Sequence, residues 1–184
     1  VHDSYQLQGK TVIGFVGSIF PYHGVHLLIE AFSKLESDSD TRLLIVGDGA
    51  ALPELKAQAL SLGVFDRCIF TGSVLHREVY PLMENMDICC MPDSNWYGSP
   101  VKIFEYGLMK KPVIAPDVGP VRDVMTDGED ALLVKPKSAD LKEALETLLT
   151  DADLRKRIAG AWHEKVLLKH TWDAAAKKVL NACT

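Results

Sequence analysis

The sequence predicts an α/β fold: a doubly wound, Rossmann-like parallel sheet of about six strands, with helices on both faces and a helical C-terminus. Three observations lead there. Six short apolar runs, rich in Val, Ile, Leu or Phe, each close on Gly, Pro or Asp. Amphipathic segments of helix length lie between them. After residue 137 the pattern becomes wholly helical. Strands that are apolar on both faces and separated by helices form parallel sheets, because the crossover helices cover both faces.

In chain order, TVIGFVG (11–17) is the first strand and 24–35 the first helix. RLLIVGDG (42–49) and a helix at 51–62 follow, then RCIFTG (67–72) with 76–85, and DICCMPD (87–93) with 100–109. KPVIAPD (111–117) leads to a short helix near 120–125, and DALLVKP (130–136) is the sixth strand. Helices near 138–150, 151–169 and 172–181 complete the chain. Within 100–109, Val101, Phe104 and Leu108 make an i, i+3, i+7 core stripe, which leaves Lys102 and Glu105 together on another face.

At 184 residues, one domain has ample length to bury a real core. A net charge of −5 argues against a general nucleic-acid binder, which carries a basic stripe. No apolar run approaches the roughly 20 residues that cross a bilayer. No signal-like n-region and h-region open the chain, which therefore reads as cytoplasmic. It starts at Val1 on a polar stretch running straight into a core strand, as a piece of something longer does. Cys68, Cys89 and Cys90 lie in apolar strand-like runs as small buried hydrophobes. With Cys183 they show no C-x-x-C spacing, so neither a zinc knot nor a disulfide framework is indicated.

Ligands of such sheets bind at the carboxyl ends of the strands. The segments there read GSIFPYHG, GDGA, TGSV, PDSNWYGSP and PDVGP. Any one is explained as a turn, but five on one edge suit close approach of backbone to a ligand. GSIFPYHG (17–24) runs from strand to helix as phosphate-binding turns do, yet it is neither a Walker A loop nor G-x-G-x-x-G. Gly17 permits a tight turn, Ser18 offers a hydroxyl, and His23 offers a ring N–H to an anion. His26 reads as a surface or satisfied histidine, His76, His163 and His170 as surface residues, Asp48 as a turn-former, and Glu164 with the charges of 155–157 as a solvated helix face.

The stretch GSPVKIFEYGLMKKPVIAPD (98–117) opens a helix with Gly98, Ser99 and Pro100. Ser99 suits the N-cap and Pro100 the first helical position. The N–H groups of Val101 and Lys102 then point outward at the positive end of the helix dipole, which makes an anion cradle. Glu105 lies about 6 Å further along the axis at 1.5 Å per residue. With a diphosphate on the helix start, it reaches the vicinal hydroxyls of a ribose. Trp96 and Tyr97 either line a sugar pocket or pack the loop.

At these residues the chain resembles the donor-binding, C-terminal domain of family-4 retaining glycosyltransferases of the GT-B fold. The likeness runs from FVGSIFPYHGVHLLIEAF through LLIVGDGALPELKAQALSLGV and CIFTGSV to GSPVKIFEYGLMKKPVIAPDVGPVRDVMTDGEDALLV. The closing HTWDAAAKKVL is similar to the family's last helix, which begins at a Trp. The resemblance implies that Glu105 is the second glutamate of an E-x7-E motif and holds the nucleotide ribose. The first glutamate, usually at the donor sugar, is Tyr97 here. Where many members have Arg and Lys for the diphosphate, this chain has Ser18 and His23, so Lys102, His23 and backbone N–H groups take that role. Val74, in FTGSV (70–74), is the implied contact of the base.

The implied function is a hexosyltransferase that moves a sugar from a UDP- or GDP-sugar to a glycan or lipid-linked acceptor, without a metal cofactor. Glu105 and Lys102 are its catalytic candidates. The acceptor site, and any peripheral membrane contact, belong to an absent amino-terminal half, so the isolated chain is expected to transfer little or no sugar. DSD at 38–40 mimics a metal motif of the other glycosyltransferase fold but reads as a solvated turn at the amino-terminal edge. Two alternatives are a nucleotide-sugar 2-epimerase of the same fold, which needs acid and base carboxylates, and a response-regulator-like domain. The second needs a phosphoacceptor that Asp48 and Asp93 match poorly.

Overall fold

All six expected strands form one sheet. In a computed structural model that describes residues 5–36, 40–94 and 101–182, they are β1 (Thr11–Val16), β2 (Thr41–Val46), β3 (Cys68–Phe70), β4 (Ile88–Cys90), β5 (Val113–Pro116) and β6 (Leu132–Val134). The order is β3-β2-β1-β4-β5-β6 and every neighbouring pair is parallel. The chain winds outward from β1 to β3, returns, and winds the other way from β4 to β6. The switch between β1 and β4 leaves a crevice at their carboxyl ends, where such folds bind ligands.

The eight α-helices among the described residues are α1 (Val25–Ser33), α2 (Leu52–Ser61), α3 (His76–Glu84), α4 (Val101–Leu108), α5 (Gly119–Arg122), α6 (Ser138–Thr150), α7 (Ala152–Lys169) and α8 (Trp172–Ala182). Alternation along the strands builds a core on each face. Ile13 and Phe15 join Leu28, Phe32, Leu55 and Leu145 from α1, α2 and α6. Val12 and Val16 join Met83, Ile103, Tyr106 and Trp162 from α3, α4 and α7. Trp172 does begin the last helix, and it stands 91% exposed, with Val179 and Leu180 also exposed.

Two details correct the sequence reading. The charges of 155–157 are not all idle: Arg155 Nη1 donates to the carbonyls of Leu148 and Leu149, satisfying the frayed C-terminus of α6 before α7 begins. His163 and His170 are half-buried rather than superficial. His163 Nδ1 donates to Gly107 O at 2.8 Å, and the His170 ring packs 5.1 Å from Phe104 and 5.7 Å from Trp162. Of the D-S-D segment only Asp40 is described, and it pairs with Lys10 at 2.5 Å. No helix among the described residues is long and apolar enough to cross a membrane.

A cavity of about 440 Å³ sits on the opposite, amino-terminal edge, lined by Lys110, Lys111, Arg155 and Lys156 among others. Two of these cations already have structural work. Lys111 Nζ donates to Glu84 O at 2.8 Å, at the end of α3, as Arg155 does at the end of α6.

The three described cysteines are buried and unpaired. Desolvation pushes the Cys68 thiol up to about 12 and those of Cys89 and Cys90 upward as well. Since the thiolate is the reactive form, all three are expected to resist maleimide in the native chain at pH 7.5 and to label fully in denaturant. Peptide mapping of the labelled chain checks this. Native labelling at any of the three would contradict their placement in the core.

Candidate functional site

The crevice floor is built by the loop after β1. Gly17 and Ser18 leave the strand, a 3-10 turn covers Pro21–His23, and Gly24 then starts α1. Gly24 has φ 66°, and a Cβ there would stand 2.6 Å from Cβ of Asp93, so glycine is needed both for conformation and for the approach of the loop after β4. His23 folds back, and its Nδ1 donates to Ser18 O at 2.5 Å. That bond uses the N–H expected to meet an anion and leaves Nε2 as the ring atom for a ligand. Burial chiefly, and the charge of Lys102 next, lower the His23 pKa, so the ring is neutral at pH 7. Phe20 and Tyr22, stacked at 5.5 Å and both substantially exposed, flank it, with Tyr22 4.5 Å from the imidazole.

The opposite wall is α4, and here the sequence expectation is corrected. Val101 is 60% exposed and Leu108 48% exposed, so they do not form a core stripe; Phe104 is only partly buried. The buried face is Ile103, Tyr106 and Gly107. Two contacts rotate the helix this way. Trp162 Nε1 donates to Ile103 O at 2.7 Å and its ring lies where a Cβ on Gly107 would go, 2.6 Å away. On the other side, Val16 N–H donates to Tyr106 Oη at 3.0 Å, and Oη donates to Cys90 O at 3.3 Å.

That rotation turns Lys102 inward. Its Nζ is buried and has no hydrogen-bond partner among the described residues. It sits 4.2 Å from the centroid of the Phe15 ring and 3.0 Å from where a Cβ on Gly17 would be. Desolvation lowers its pKa to about 8, against a smaller upward pull from Glu105. At pH 7 the crevice therefore holds an ammonium with no partner among the described residues, set in a low-dielectric wall and in cation–π contact with Phe15. Buried cations are normally paired, so the arrangement is incomplete without an anion. Glu105 is half-buried on the same side of α4. The carboxylates of the loops are engaged locally: Asp48 Oδ1 accepts from Gly49 N and Asp93 Oδ1 from Ser94 N, both at 2.7 Å.

The structure thus brings Gly17, Ser18, His23 and Lys102 together at the switch point, with Val101 in the first turn of α4. Val74 lies beyond β3, half-buried against the core layer under α3 and α4. Trp96, Tyr97, Gly98, Ser99 and Pro100 lie outside the described residues. Sequence reasoning missed Phe15, which looked like core, and Tyr106. The expected stripe of Val101, Phe104 and Leu108 placed Tyr106 off the core face, so the sequence held no signal for it. Among the described residues, no group of three or more His, Cys, Asp or Glu is placed to hold a metal ion.

The chain is 30% identical over 161 residues to an alpha-D-kanosaminyltransferase of Streptomyces kanamyceticus, covering 86% of this chain and 42% of that protein. It is 32% identical over 180 residues to a phosphatidyl-myo-inositol mannosyltransferase of Mycobacterium leprae, covering 96% and 47%. The chain therefore spans about half the length of these relatives. The C-terminal domain of a glycosyl transferase group 1 family protein, LpcC, from Francisella tularensis superposes with a TM-score of 0.81 at 26% identity, covering 89% of this chain and 88% of that one. The Anabaena protein Alr3699/HepE, solved in complex with UDP, shares the fold with a TM-score of 0.84 at 22% identity, covering 96% and 49%. A family model described as glycosyl transferases group 1 matches residues 2–163, and the chain belongs to that family.

Proposed function

We propose that this chain is the donor-binding half of a retaining glycosyltransferase that takes its sugar from a UDP- or GDP-sugar. The observation that carries the reading is the buried Lys102 ammonium at the β1/β4 switch point, which has no hydrogen-bond partner among the described residues. A diphosphate placed there meets Lys102, the first-turn N–H groups of α4 and the neighbouring loop after β1. Charge that develops on the departing nucleoside diphosphate meets fixed donors in a dry wall, which is worth more than the same contact in water. Lys102 and the dipole of α4 stand in for a metal ion in this scheme. Glu105, repelled by phosphate, takes the ribose hydroxyls, and Val74 lies along the same edge for the base. Sugar choice involves the segment around Tyr97. The acceptor, a glycan or lipid-linked group, and any membrane contact belong to an amino-terminal half that the longer relatives provide room for, with the site facing the cytoplasm. The epimerase and response-regulator readings gain no support, since Asp48 and Asp93 are held within their own loops.

The test is calorimetric titration with UDP, GDP and ADP, each with and without magnesium, against the chain and its Glu105→Ala variant. One nucleoside diphosphate is expected to bind without metal, and Glu105→Ala to weaken it about tenfold, the scale of a charge-assisted hydrogen bond. The 2′,3′-dideoxy analogue should bind both proteins alike. Binding by Glu105→Ala equal to wild type would sink the ribose assignment, and a strict magnesium requirement would sink the metal-free scheme.

A further inference from the structure

We infer that Tyr106 is a positioning residue: its hydroxyl occupies a ladder position between β1 and β4 and holds the two strands apart, opening the crevice that receives the donor. The inference rests on the donor reading. Gly17 N–H donates to Val46 O at 3.0 Å, so Gly17 faces β2 and, by alternation, Val16 faces β4. Cys89 N–H donates to Pro112 O at 3.0 Å and Met91 N–H to Ile114 O at 2.9 Å, so these two face β5 and Cys90 faces β1. The parallel register pairs Gly14 with Cys89. Continuing it by two residues makes Val16 N–H the donor for Cys90 O. Neither group bonds the other; both bond Tyr106 Oη, at 3.0 and 3.3 Å.

The hydroxyl is suited to the place. It is at once acceptor and donor, as a bridging group between an N–H and a C=O must be. Tyr106 is fully buried, and burial raises its phenol pKa well above the ordinary value, so the donated proton stays on. The following residue on the β4 side is Pro92, which has no N–H to extend the ladder. Tyr106 therefore closes the last backbone valences of the pair while spreading them. The same side chain is one residue from Glu105 and one turn from Lys102, so the spread of the strands and the aim of α4 are set together.

Three variants test this. In Tyr106→Phe the ring remains but the oxygen is lost. Val16 N–H loses its acceptor, and its amide exchange is expected to quicken at least tenfold. Affinity for UDP or GDP, whichever the wild type binds, is expected to fall about tenfold. In Tyr106→Leu the spacer is shorter, the strands meet, and Val16 is expected to regain protection by donating directly to Cys90 O, while nucleotide affinity still falls. Leu148→Ala, in the core layer on the other face of the sheet, serves as the control for lost stability and is expected to leave affinity within about twofold. Val16 exchange unchanged in Tyr106→Phe would overturn the inference, as would an affinity loss no larger than in Leu148→Ala. If the wild-type chain binds no nucleoside diphosphate, the donor reading fails instead, and Val16 exchange in Tyr106→Phe alone decides whether the hydroxyl holds the strands. Should Tyr106→Leu not fold, the Phe variant carries the decision.

Discussion

Replacing Lys102 with methionine is expected to stabilise the free chain and to weaken its grip on nucleoside diphosphate. Methionine keeps most of the stem that lies over Phe15 and removes an ammonium that has no hydrogen-bond partner among the described residues. Removing a charge whose burial lowers its pKa from 10.5 to about 8 should return about 1–3 kcal/mol at pH 7. For a chain of this size that is a rise in Tm of roughly 2–10 °C. The sign with pH follows from the two protonation states. Below about pH 8, Lys102 is protonated in both the folded and the unfolded chain, and the full burial penalty applies. Between about 8 and 10.5 the folded chain gives up its proton first, so wild-type stability rises with pH through that window. The methionine variant lacks this rise.

Ligand binding moves the other way. Only the protonated amine attracts a diphosphate, so wild-type affinity should fall as pH climbs through about 8. The variant should bind about ten- to a hundredfold more weakly at pH 7, the span of one to two charge-assisted bonds, and show no break near pH 8. Thermal melts at pH 7 and 10, with titrations over the same range, check both halves. A variant that is less stable yet binds as tightly would remove Lys102 from the site.

The largest loss of stability is expected at Trp162, whose truncation to alanine should cost about 3–5 kcal/mol. Against a total of about 5–15 kcal/mol for a typical chain, this is a large share. The indole is fully buried, donates to Ile103 O, and packs beside Phe104 with ring centroids 5.7 Å apart. It also explains Gly107. A Cβ there would come within 2.6 Å of Trp162 Nε1 and 2.7 Å of Val166 Cγ2, so Gly107→Ala in the wild type is destabilising although alanine favours helix. In the Trp162→Ala background the same change should cost far less. A urea double-mutant cycle measures that coupling, and additive losses would show that the two residues do not share one contact. Because α4 leans on Trp162, nucleotide affinity should fall along with stability in the truncated variant.

The fold was legible because it is written in local chemistry. Each strand core is a short apolar run closed by Gly, Pro or Asp, and all six strands appear where those runs stand. The loop after β1 was legible as a candidate site segment for the same reason, since Gly, Ser and Pro at the carboxyl edge of a parallel sheet suit close approach of backbone to a ligand. The face of α4 was not legible. Val101, Phe104 and Leu108 satisfy the apolar spacing as well as Ile103, Tyr106 and Gly107 do, and periodicity alone cannot rank the two. A glycine and a tyrosine look like poor core residues until Trp162, some 55–59 positions away, fills the space over the first, and the ends of β1 and β4 bond the second. The helix C-terminal carbonyls likewise give Arg155 and Lys111 structural work that their charge alone did not reveal.

The sequence by itself determined the parallel sheet, the order of its elements and the residue types at the carboxyl edge where the candidate site lies, because each follows from periodicity and turn chemistry within a few neighbouring residues. Only the tertiary structure decided that the Lys102 ammonium is buried without a partner among the described residues, that His23 turns its Nδ1 to Ser18, and that Tyr106 stands between two strands. Those outcomes depend on desolvation and on donors and acceptors brought together from distant segments. Such terms have no value until the chain has closed around them.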